Sequence, residues 1–306
     1  MENSTPAPVH SNKKLLLIGV LVVVLVALGA WYAYTIPVRL IGLHVFEGDY
    51  RTGKVLSFGI LGLAEKKLSV NGVVADYASA KGTAVAVVRN PDTNTEDILL
   101  MSDNGRTLTT DGEGKVALAV SPDGTMVAYS ALTNAPADTF FTPQFSAWTI
   151  KVINIKTGEM TLMGSGFGPE FFTSNGKLML MFTDATGITI ADMATKTSQT
   201  TFFLNPGVID YSAHISDDGK FIAIPNGLTK HYDLFAVTHL EAPLGIDPLG
   251  SVEPVLVHGD FKGSNFYGVE YIRDVNSRLW RFTTAKPPVG EVVFDLRAQS
   301  LYRVLP

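Results

Sequence analysis

The sequence predicts an all-β domain, a β-propeller of five or six four-stranded blades, preceded by one N-terminal transmembrane helix. Three observations predict it: an uncharged apolar run near the N-terminus, recurring hairpins with glycine-containing turns, and short β-type runs after each hairpin. Units of four strands that repeat about every 40–50 residues are typical of propeller blades. The predicted organisation is a short disordered cytoplasmic tail (1–14), a transmembrane helix (15–36), a juxtamembrane linker (37–52) and the propeller (53–306).

The apolar run extends from Leu15 to Tyr34 and contains no charged residue. As a helix it would rise about 30 Å, which is the thickness of the hydrocarbon core of a bilayer. Lys13 and Lys14 precede the run directly, as in a secretory signal, so we expect a signal-anchor in the inner membrane. The N-terminus would then be cytoplasmic and the domain extracytoplasmic. A signal peptide cleaved after Gly29 is the alternative.

Four hairpins carry the repeat, each with two apolar runs joined by a turn. Glycine in these turns supplies the positive φ that a tight hairpin needs. A weaker fifth hairpin is predicted to turn at Asn276 and Ser277, and residues 54–70 are predicted to close the last blade or to form part of a sixth. The alternative fold is a β-sandwich. The predicted turn residues of the four clear hairpins are Gly82, Asp123, Gly124, Asn175, Gly176, Asp218 and Gly219.

Two hairpins resemble a known repeat. Residues 121–129 (SPDGTMVAY) and 216–224 (SDDGKFIAI) resemble the repeat of TolB-type propellers, which are relatives of the WD-type repeats. The resemblance covers residues 70–305 as architecture and is carried by short motifs. It implies a propeller fold and a periplasmic, cell-envelope setting. It does not carry over the partners or the role of that family.

The composition excludes several classes of function. The formal net charge is −5 without a basic cluster, so nucleic acid is not an expected partner. The chain has no cysteine, which excludes disulfides and cysteine nucleophiles. Its histidines lack metal-ligand spacing within one element, and no catalytic motif occurs, so no cofactor or metal is predicted. His214 is interpreted as structural, while a loop site of His231 and Asp233 with His258 and Asp260 stays open.

The interval between the second and third hairpins contains a predicted interaction surface. The turn glycines at 124 and 176 are 52 residues apart, against 42 and 43 for the neighbouring intervals, which predicts an inserted loop at 134–148. A second insertion is predicted at 241–265. Aromatic side chains on a loop are costly to expose and often anchor interfaces, although they can also cover the propeller's own rim. Those of the first loop are Phe140, Phe141, Phe145 and Trp148.

The favoured function is a membrane-anchored module that binds a protein or an envelope polymer without catalysis. The first alternative is a glycan-active hydrolase or lyase that uses paired carboxylates in the propeller funnel. The second alternative is a structural subunit of a larger cell-envelope complex. Two carboxylates that face each other in an open funnel would favour the enzyme. The candidate carboxylates are Asp76, Glu170, Asp210 and Glu270.

Overall fold

The described strands form six antiparallel sheets of four strands each, which are the blades of a β-propeller. The prediction of an all-β propeller is therefore confirmed, and the number of blades is six. The computed structural model describes residues 18, 20–28, 40–48, 53–59, 62–132, 147–184, 186–203, 212–226, 229, 231–272, 276–296 and 301–305.

Blade 1 joins the two ends of the domain. Strands β1 (His44–Gly48), β2 (Gly53–Gly59) and β3 (Gly62–Leu68) pair in sequence order, and β24 (Leu301–Leu305) pairs with β1 as the fourth strand. Hydrogen bonds between the first and last strands close the ring, so the inner edge of this blade is not left unpaired. Residues 54–70 therefore belong to a sixth blade, which was one of the two predicted outcomes.

Each remaining blade consists of four consecutive strands in antiparallel order. The strands are β4 (Val73–Ala80), β5 (Thr83–Arg89), β6 (Glu96–Leu100) and β7 (Arg106–Thr107) in blade 2; β8 (Gly114–Val120), β9 (Met126–Leu132), β10 (Trp148–Asn154) and β11 (Met160–Ser165) in blade 3; β12 (Phe167–Ser174), β13 (Lys177–Thr183), β14 (Gly187–Asp192) and β15 (Thr197–Phe203) in blade 4; β16 (His214–Ile215), β17 (Phe221–Asn226), β18 (His231–His239) and β19 (Gly245–Val252) in blade 5; β20 (Leu256–Lys262), β21 (Asn265–Ile272), β22 (Asn276–Thr283) and β23 (Gly290–Leu296) in blade 6.

The inner strands of the blades are β4, β8, β12, β16, β20 and β24. Neighbouring members of this set contact each other from β4 to β24, in chain order. Together they surround a central channel, whose lining decides what the domain can bind.

The hydrophobic core is divided into six clusters, one between each pair of adjacent blades. Strand β9 shows how one strand serves two of them. Val127 and Tyr129 pack toward blade 2, whereas Ala128 between them packs toward blade 4 with Leu180. Because both faces of a blade are covered by neighbouring blades, its inner strands are almost continuously apolar rather than alternating between apolar and polar residues.

The four clear hairpins turn where the sequence predicts. Gly82, Gly124, Gly176 and Gly219 have φ between +69° and +82° and lie between the first and second strands of blades 2 to 5. In the SPDG turn the Ser121 hydroxyl donates to Asp123 at 2.6 Å, and the same oxygen accepts the amide of Met126 at 2.9 Å. The SDDG turn of blade 5 repeats both bonds with Ser216. The short motif therefore encodes the turn through its own side chains.

The predicted fifth turn is wrong. Asn276 and Ser277 begin β22, and the first hairpin of blade 6 turns at 263–264, where Gly263 has φ +57°. The second and third strands of a blade also form an apolar–turn–apolar unit. The sequence pattern therefore does not reveal whether a hairpin joins the first and second strands of a blade or the second and third. As a consequence, residues 241–265 are not an inserted loop, because β19 and β20 occupy most of them.

The beginning of the propeller also differs from the prediction. Strand β1 lies inside the range 37–52 that the sequence assigned to a linker, and Leu40 and Leu43 are fully buried in the core between blades 6 and 1. Among the described strands, β1 and β2 are the second and third strands of their blade, because its inner strand β24 comes from the other end of the chain.

The N-terminal helix comprises residues 20–28, whose side chains are exposed. Among the residues that the structure describes, no helix combines the length and the apolar character needed to cross a bilayer. Residues 15–17, 19 and 29–36 of the predicted span lie outside the described part of the chain.

Candidate functional site in the central channel

One polar network at the centre of the ring receives a group from every inner strand. It lies between two cavities of about 270 and 280 Å³, and Glu170 and Arg303 line both of them. The network therefore separates the two mouths of the channel. Its members are Asp76 on β4, the backbone of Leu118 on β8, Glu170 on β12, His214 on β16, His258 and Asp260 on β20, and Arg303 on β24.

β-Bulges occur at this level of four inner strands. An extra residue in one strand bends it and re-aims the neighbouring side chains, and such bulges are common beside functional sites. Here they place Asp76, Glu170 and His258 directly after an irregular pair. The register shifts lie between Val74 and Asp76, Val116 and Ala119, Phe167 and Glu170, and Leu256 and His258.

Asp76 and Arg303 form an ion pair between blades 1 and 2. Arg303 Nη1 donates to both carboxylate oxygens of Asp76 at 2.6 Å, and its Nη2 donates to the carbonyl of Leu118. Asp76 also accepts the amides of Tyr77 and Leu118, at 2.8 and 2.9 Å. Burial works to lower the pKa of Arg303, but the neighbouring carboxyl groups, Asp76 first among them, outweigh it, so the pKa is raised. These contacts fill the acceptor sites of Asp76.

Glu170 and His214 form the second pair, between blades 4 and 5. The Nδ1 atom of His214 contacts Glu170 Oε1, and the amide of Ile215 donates to Oε2 at 2.8 Å. The other ring nitrogen, Nε2, lies 3.3 Å from the Tyr232 hydroxyl. With 3% of its surface exposed, His214 is held on both sides of its ring. His214, which the sequence analysis interprets as structural, therefore lies in the channel.

Asp260 and His258 complete the network from blade 6. Asp260 is buried, and its Oδ1 accepts the amide of Phe261 at 2.7 Å. Burial and the negative charge of Glu170 raise the pKa of Asp260 well above its usual range. Burial, followed by the positive charge of Arg303, lowers the pKa of His258 well below its usual range. Nδ1 of His258 is buried and has no hydrogen-bond partner in the described part of the chain.

The carboxylates that were predicted for the propeller funnel do not all lie in the channel. Asp76 and Glu170 line the channel, whereas Glu270 lies on β21 and accepts a hydrogen bond from Trp280 Nε1 at 2.8 Å. Asp210 lies outside the described residues. The loop site of two histidines and two aspartates, which the sequence analysis left open, is likewise split between two places. His258 and Asp260 join the channel, but His231 and Asp233 lie on β18, the third strand of blade 5.

Of the aromatic residues predicted to form an interaction surface, the structure describes only the last. Trp148 lies on β10 with 1% of its surface exposed, and its ring packs edge-on against Phe167 at 5.5 Å between centroids. It therefore belongs to the domain's own packing. Phe140, Phe141 and Phe145 lie outside the described residues, and their role stays a prediction.

Sequence reasoning did not single out Arg303 and did not pair Glu170 with His214. The signal for Arg303 was available, because it is a charged residue inside the apolar strand LYRVL. The signal for the pair is weaker. Glu170 and His214 are 44 residues apart, close to one blade repeat, so they lie near equivalent positions of adjacent inner strands.

Comparison of the fold with solved structures agrees with this architecture. The crystal structure of TolB from Acinetobacter baumannii is similar with a TM-score of 0.60, over 89% of this chain and 69% of that one, at 16% sequence identity. The fold is that of a TolB-type propeller. No family model matches the sequence. No curated protein matches it significantly.

A second solved structure is also similar in fold. A crystal structure of puromycin hydrolase is similar with a TM-score of 0.50 at 12% identity, over 82% of this chain. The chain spans 42% of that protein's length. Such identities show a shared fold, and the function must be argued from the channel itself.

Proposed function

We propose that this chain is a membrane-tethered, extracytoplasmic propeller that binds an envelope protein or polymer at its central channel, without acting on it chemically. The observation that carries the proposal is the polar network to which all six inner strands contribute, with a cavity of about 270 or 280 Å³ on either side. A rigid ring presents such a surface with little cost in ordering entropy.

The balance between satisfied and unsatisfied groups supports binding. Asp76 is fully engaged by Arg303 and backbone amides, so it shapes the channel. Arg303 Nε and His258 Nδ1 are buried without a hydrogen-bond partner among the described residues. Buried polar atoms without a partner are costly, and a polar ligand that enters the channel would satisfy them.

The N-terminal segment supports the membrane tether. Val23 and Val26 in the helix of residues 20–28 are 67% and 65% exposed. Apolar side chains on an uncharged helix are favourable in lipid, where the backbone must satisfy its own hydrogen bonds. A tether raises the local concentration of the propeller at the membrane, which makes weak contacts useful.

Two experiments, one on isolated membranes and one on cells, test the tether and its orientation. The full chain is expected to resist extraction by alkaline carbonate, and protease added to cells with a permeable outer layer is expected to digest the propeller. Digestion only after lysis of the inner membrane would contradict the orientation. Release of the full chain by carbonate would contradict the tether.

Site-specific photo-crosslinking tests the binding surface. A photoreactive residue at Ser79 or Ser212, which line the two cavities, is expected to capture a partner. The control position is Lys66 on the exposed outer strand β3 of blade 1. Equal capture from all three positions, or no capture from either cavity, would contradict binding at the channel.

The predicted loop at 134–148, with its aromatic residues, would offer a second contact for the same partner. Replacing Phe140 and Phe141 together by serine is expected to weaken the crosslink while the far-ultraviolet circular dichroism spectrum stays unchanged. Trp148→Ser is not a suitable variant, because its buried ring packs on Phe167. An undiminished crosslink in the double variant would confine the binding surface to the channel.

The second candidate function is a glycan-active hydrolase or lyase. A specific observation favours it, because one carboxylate oxygen each of Glu170 and Asp260 lie within 4.8 Å of each other and both residues line the same cavity. Retaining glycosidases use two carboxyl groups about 5 Å apart. The raised pKa of Asp260 suits a general acid, while Glu170 would supply the second carboxyl group.

Activity assays separate the two candidates. The purified chain would be incubated with glycan oligosaccharides, and the products analysed by mass spectrometry. The enzyme hypothesis requires turnover that Glu170→Gln and Asp260→Asn abolish and that Glu270→Gln, on β21, leaves unchanged. Absence of products across neutral and acidic glycans would leave binding without chemistry.

A further inference from the structure

Three potential metal ligands from three different blades converge in the channel. Glu170, His214 and Asp260 each offer a ligand atom within 4.8 Å of those of the other two. We propose that these residues bind one divalent transition-metal ion, such as Zn²⁺ or Mn²⁺. This inference goes beyond the proposed binding role, because it can be tested with the metal alone.

The charges of the network favour a dication at this position. Arg303 forms an ion pair with Asp76, and both side chains are largely buried. Glu170 and Asp260 then remain as two neighbouring carboxylates, and neither forms an ion pair with a lysine or arginine within the described residues. Two neighbouring buried carboxyl groups are costly to ionise together, and a bound dication would offset that cost.

Asp260 supplies an independent indication of a missing ligand. Its side chain is 7% exposed, and Oδ1 accepts the Phe261 amide. Oδ2 has no hydrogen-bond or ion-pair partner within the part of the chain that the structure describes. The residue lines the cavity of about 270 Å³ together with Glu170, so its free oxygen belongs to a space that an ion can reach.

His214 is already oriented as a metal ligand. Its Nδ1 contacts Glu170 Oε1, so an ion bound at this position would be held by both residues. Nε2 would keep its proton and donate to the Tyr232 hydroxyl, which lies 3.3 Å away. Metal-binding histidines commonly donate their second ring N–H in this way, which fixes the tautomer and the ring orientation.

The ligand types select the class of ion. One imidazole and two carboxylates suit Zn²⁺ or Mn²⁺, which accept mixed nitrogen and oxygen ligands. Ca²⁺ prefers six to eight oxygen ligands, which three residues with one nitrogen do not supply. The remaining coordination positions would face the cavities, where water or an acidic group of a partner can bind.

Isothermal titration calorimetry on the metal-free protein tests the site. The full chain in mild detergent, without a histidine tag, would be stripped with EDTA and titrated separately with Zn²⁺, Mn²⁺ and Ca²⁺. The expected result is one Zn²⁺ or Mn²⁺ per chain and weaker binding of Ca²⁺. Preferential binding of Ca²⁺, or no stoichiometric binding of any of the three ions, would overturn the proposal.

Matched variants identify the ligands. Glu170→Gln, His214→Gln and Asp260→Asn are each expected to weaken binding by about 100-fold or more, beyond the 10–100-fold typical of outer-shell changes. The controls are Glu270→Gln on β21 and His239→Gln, whose side chain is 51% exposed. Unchanged affinity in the three ligand variants would overturn the assignment.

A spectroscopic measurement on the unmodified chain covers the case in which a variant fails to fold. Co²⁺ added to the metal-free protein is expected to give visible d–d absorption of a low-symmetry nitrogen and oxygen site, which one equivalent of Zn²⁺ removes. A spectrum identical to that of Co²⁺ in buffer would contradict a specific site.

Discussion

Arg303 of the last strand binds Asp76 of the first strand of blade 2, with Nη1 donating to both carboxylate oxygens at 2.6 Å. The two residues are 227 positions apart in the chain. Since β24 also pairs with β1, this ion pair connects the closure of the ring to the polar network of the channel. Stability and the binding surface therefore depend on the same contact.

Removal of Arg303 is expected to destabilise the fold strongly. Arg303→Ala would leave Asp76, 8% exposed, as an unpaired buried charge, which costs about 3 kcal/mol of unfolding free energy. Arg303→Lys should recover part of the loss, because one ammonium cannot reach both Asp76 and the Leu118 carbonyl as the guanidinium does. Urea denaturation followed by circular dichroism measures both.

A surface pair provides the control for that experiment. Arg278 and Asp295 are 43% and 68% exposed, with 3.7 Å between Arg278 Nε and Asp295 Oδ1. Arg278→Ala is expected to change the unfolding free energy by less than about 1 kcal/mol. An equally small effect of Arg303→Ala would show that the channel ion pair does not stabilise the ring.

Deletion of β24 is expected to open the propeller. Residues 301–306 include Val304 and Leu305, which are fully buried, and the strand covers the edge of β1. Without it, an unpaired inner edge and two exposed core clusters should cause aggregation and rapid proteolysis. Size-exclusion chromatography and limited proteolysis detect both. Deletion of residue 306 alone is the control, and monomeric, protease-resistant behaviour of the larger deletion would disprove closure by this strand.

Two turn glycines should respond differently to alanine. Gly124 and Gly176 have nearly the same φ, +75° and +74°, so each alanine should cost about 1–2 kcal/mol of backbone strain. A Cβ at Gly124 would also lie 2.9 Å from the hydroxyl oxygen of Thr83 in the neighbouring blade, whereas one at Gly176 meets no atom within 4 Å. Gly124→Ala should therefore lower the thermal midpoint more than Gly176→Ala does. Equal shifts would count against tight packing between these turns.

The Asp184 carboxylate should make stability depend on pH. Partial burial works to raise the pKa of Asp184, but hydrogen bonds from Thr186 and Thr189 outweigh it, so the pKa is lowered in the fold. The unfolded chain then binds more protons between the folded pKa and about 3.9, and stability rises with pH across that window. The stabilisation is complete above the unfolded pKa and is lost as the pH falls through the folded value.

Asp184→Asn measures this contribution directly. Urea denaturation of the variant and the unmodified chain should differ most at neutral pH, and the difference should shrink as the pH falls below about 4. Asp295→Asn, at a carboxylate that is 68% exposed, is the control. If the difference in unfolding free energy stayed constant down to strongly acidic pH, the effect of the substitution would come from the shape of the side chain rather than from its charge.

Local chemistry made much of the fold predictable from the sequence. The SPDG and SDDG turns carry their own hydrogen-bond partners, so residues 121–124 and 216–219 identified their hairpins without tertiary information. The fifth hairpin was misplaced because 271–282 contains a genuine hairpin of the same pattern, formed by the second and third strands of its blade. The sequence pattern alone identifies hairpins, but only the packing of the blades determines which strand is innermost.

The channel site was less predictable, because its residues are neighbours only around the ring. Glu170 and Asp76 were candidates for the funnel, but so was Glu270, which pairs with Trp280 away from the axis. Whether a strand residue faces the axis depends on β-bulges, such as the shift between Phe167 and Glu170. A one-residue change in register turns a side chain to the other face, and the sequence pattern does not specify it.

The amino-acid sequence by itself determined the repeating four-stranded unit and the positions of its glycine turns, since both arise from interactions between residues a few positions apart. It also determined the apolar N-terminal run. Only the tertiary structure decided that six blades close through β24 and that Asp76, Glu170, His214, Asp260 and Arg303 meet at the axis. The physical reason is distance along the chain. These contacts depend on the summed geometry of every blade between them, which no local pattern records.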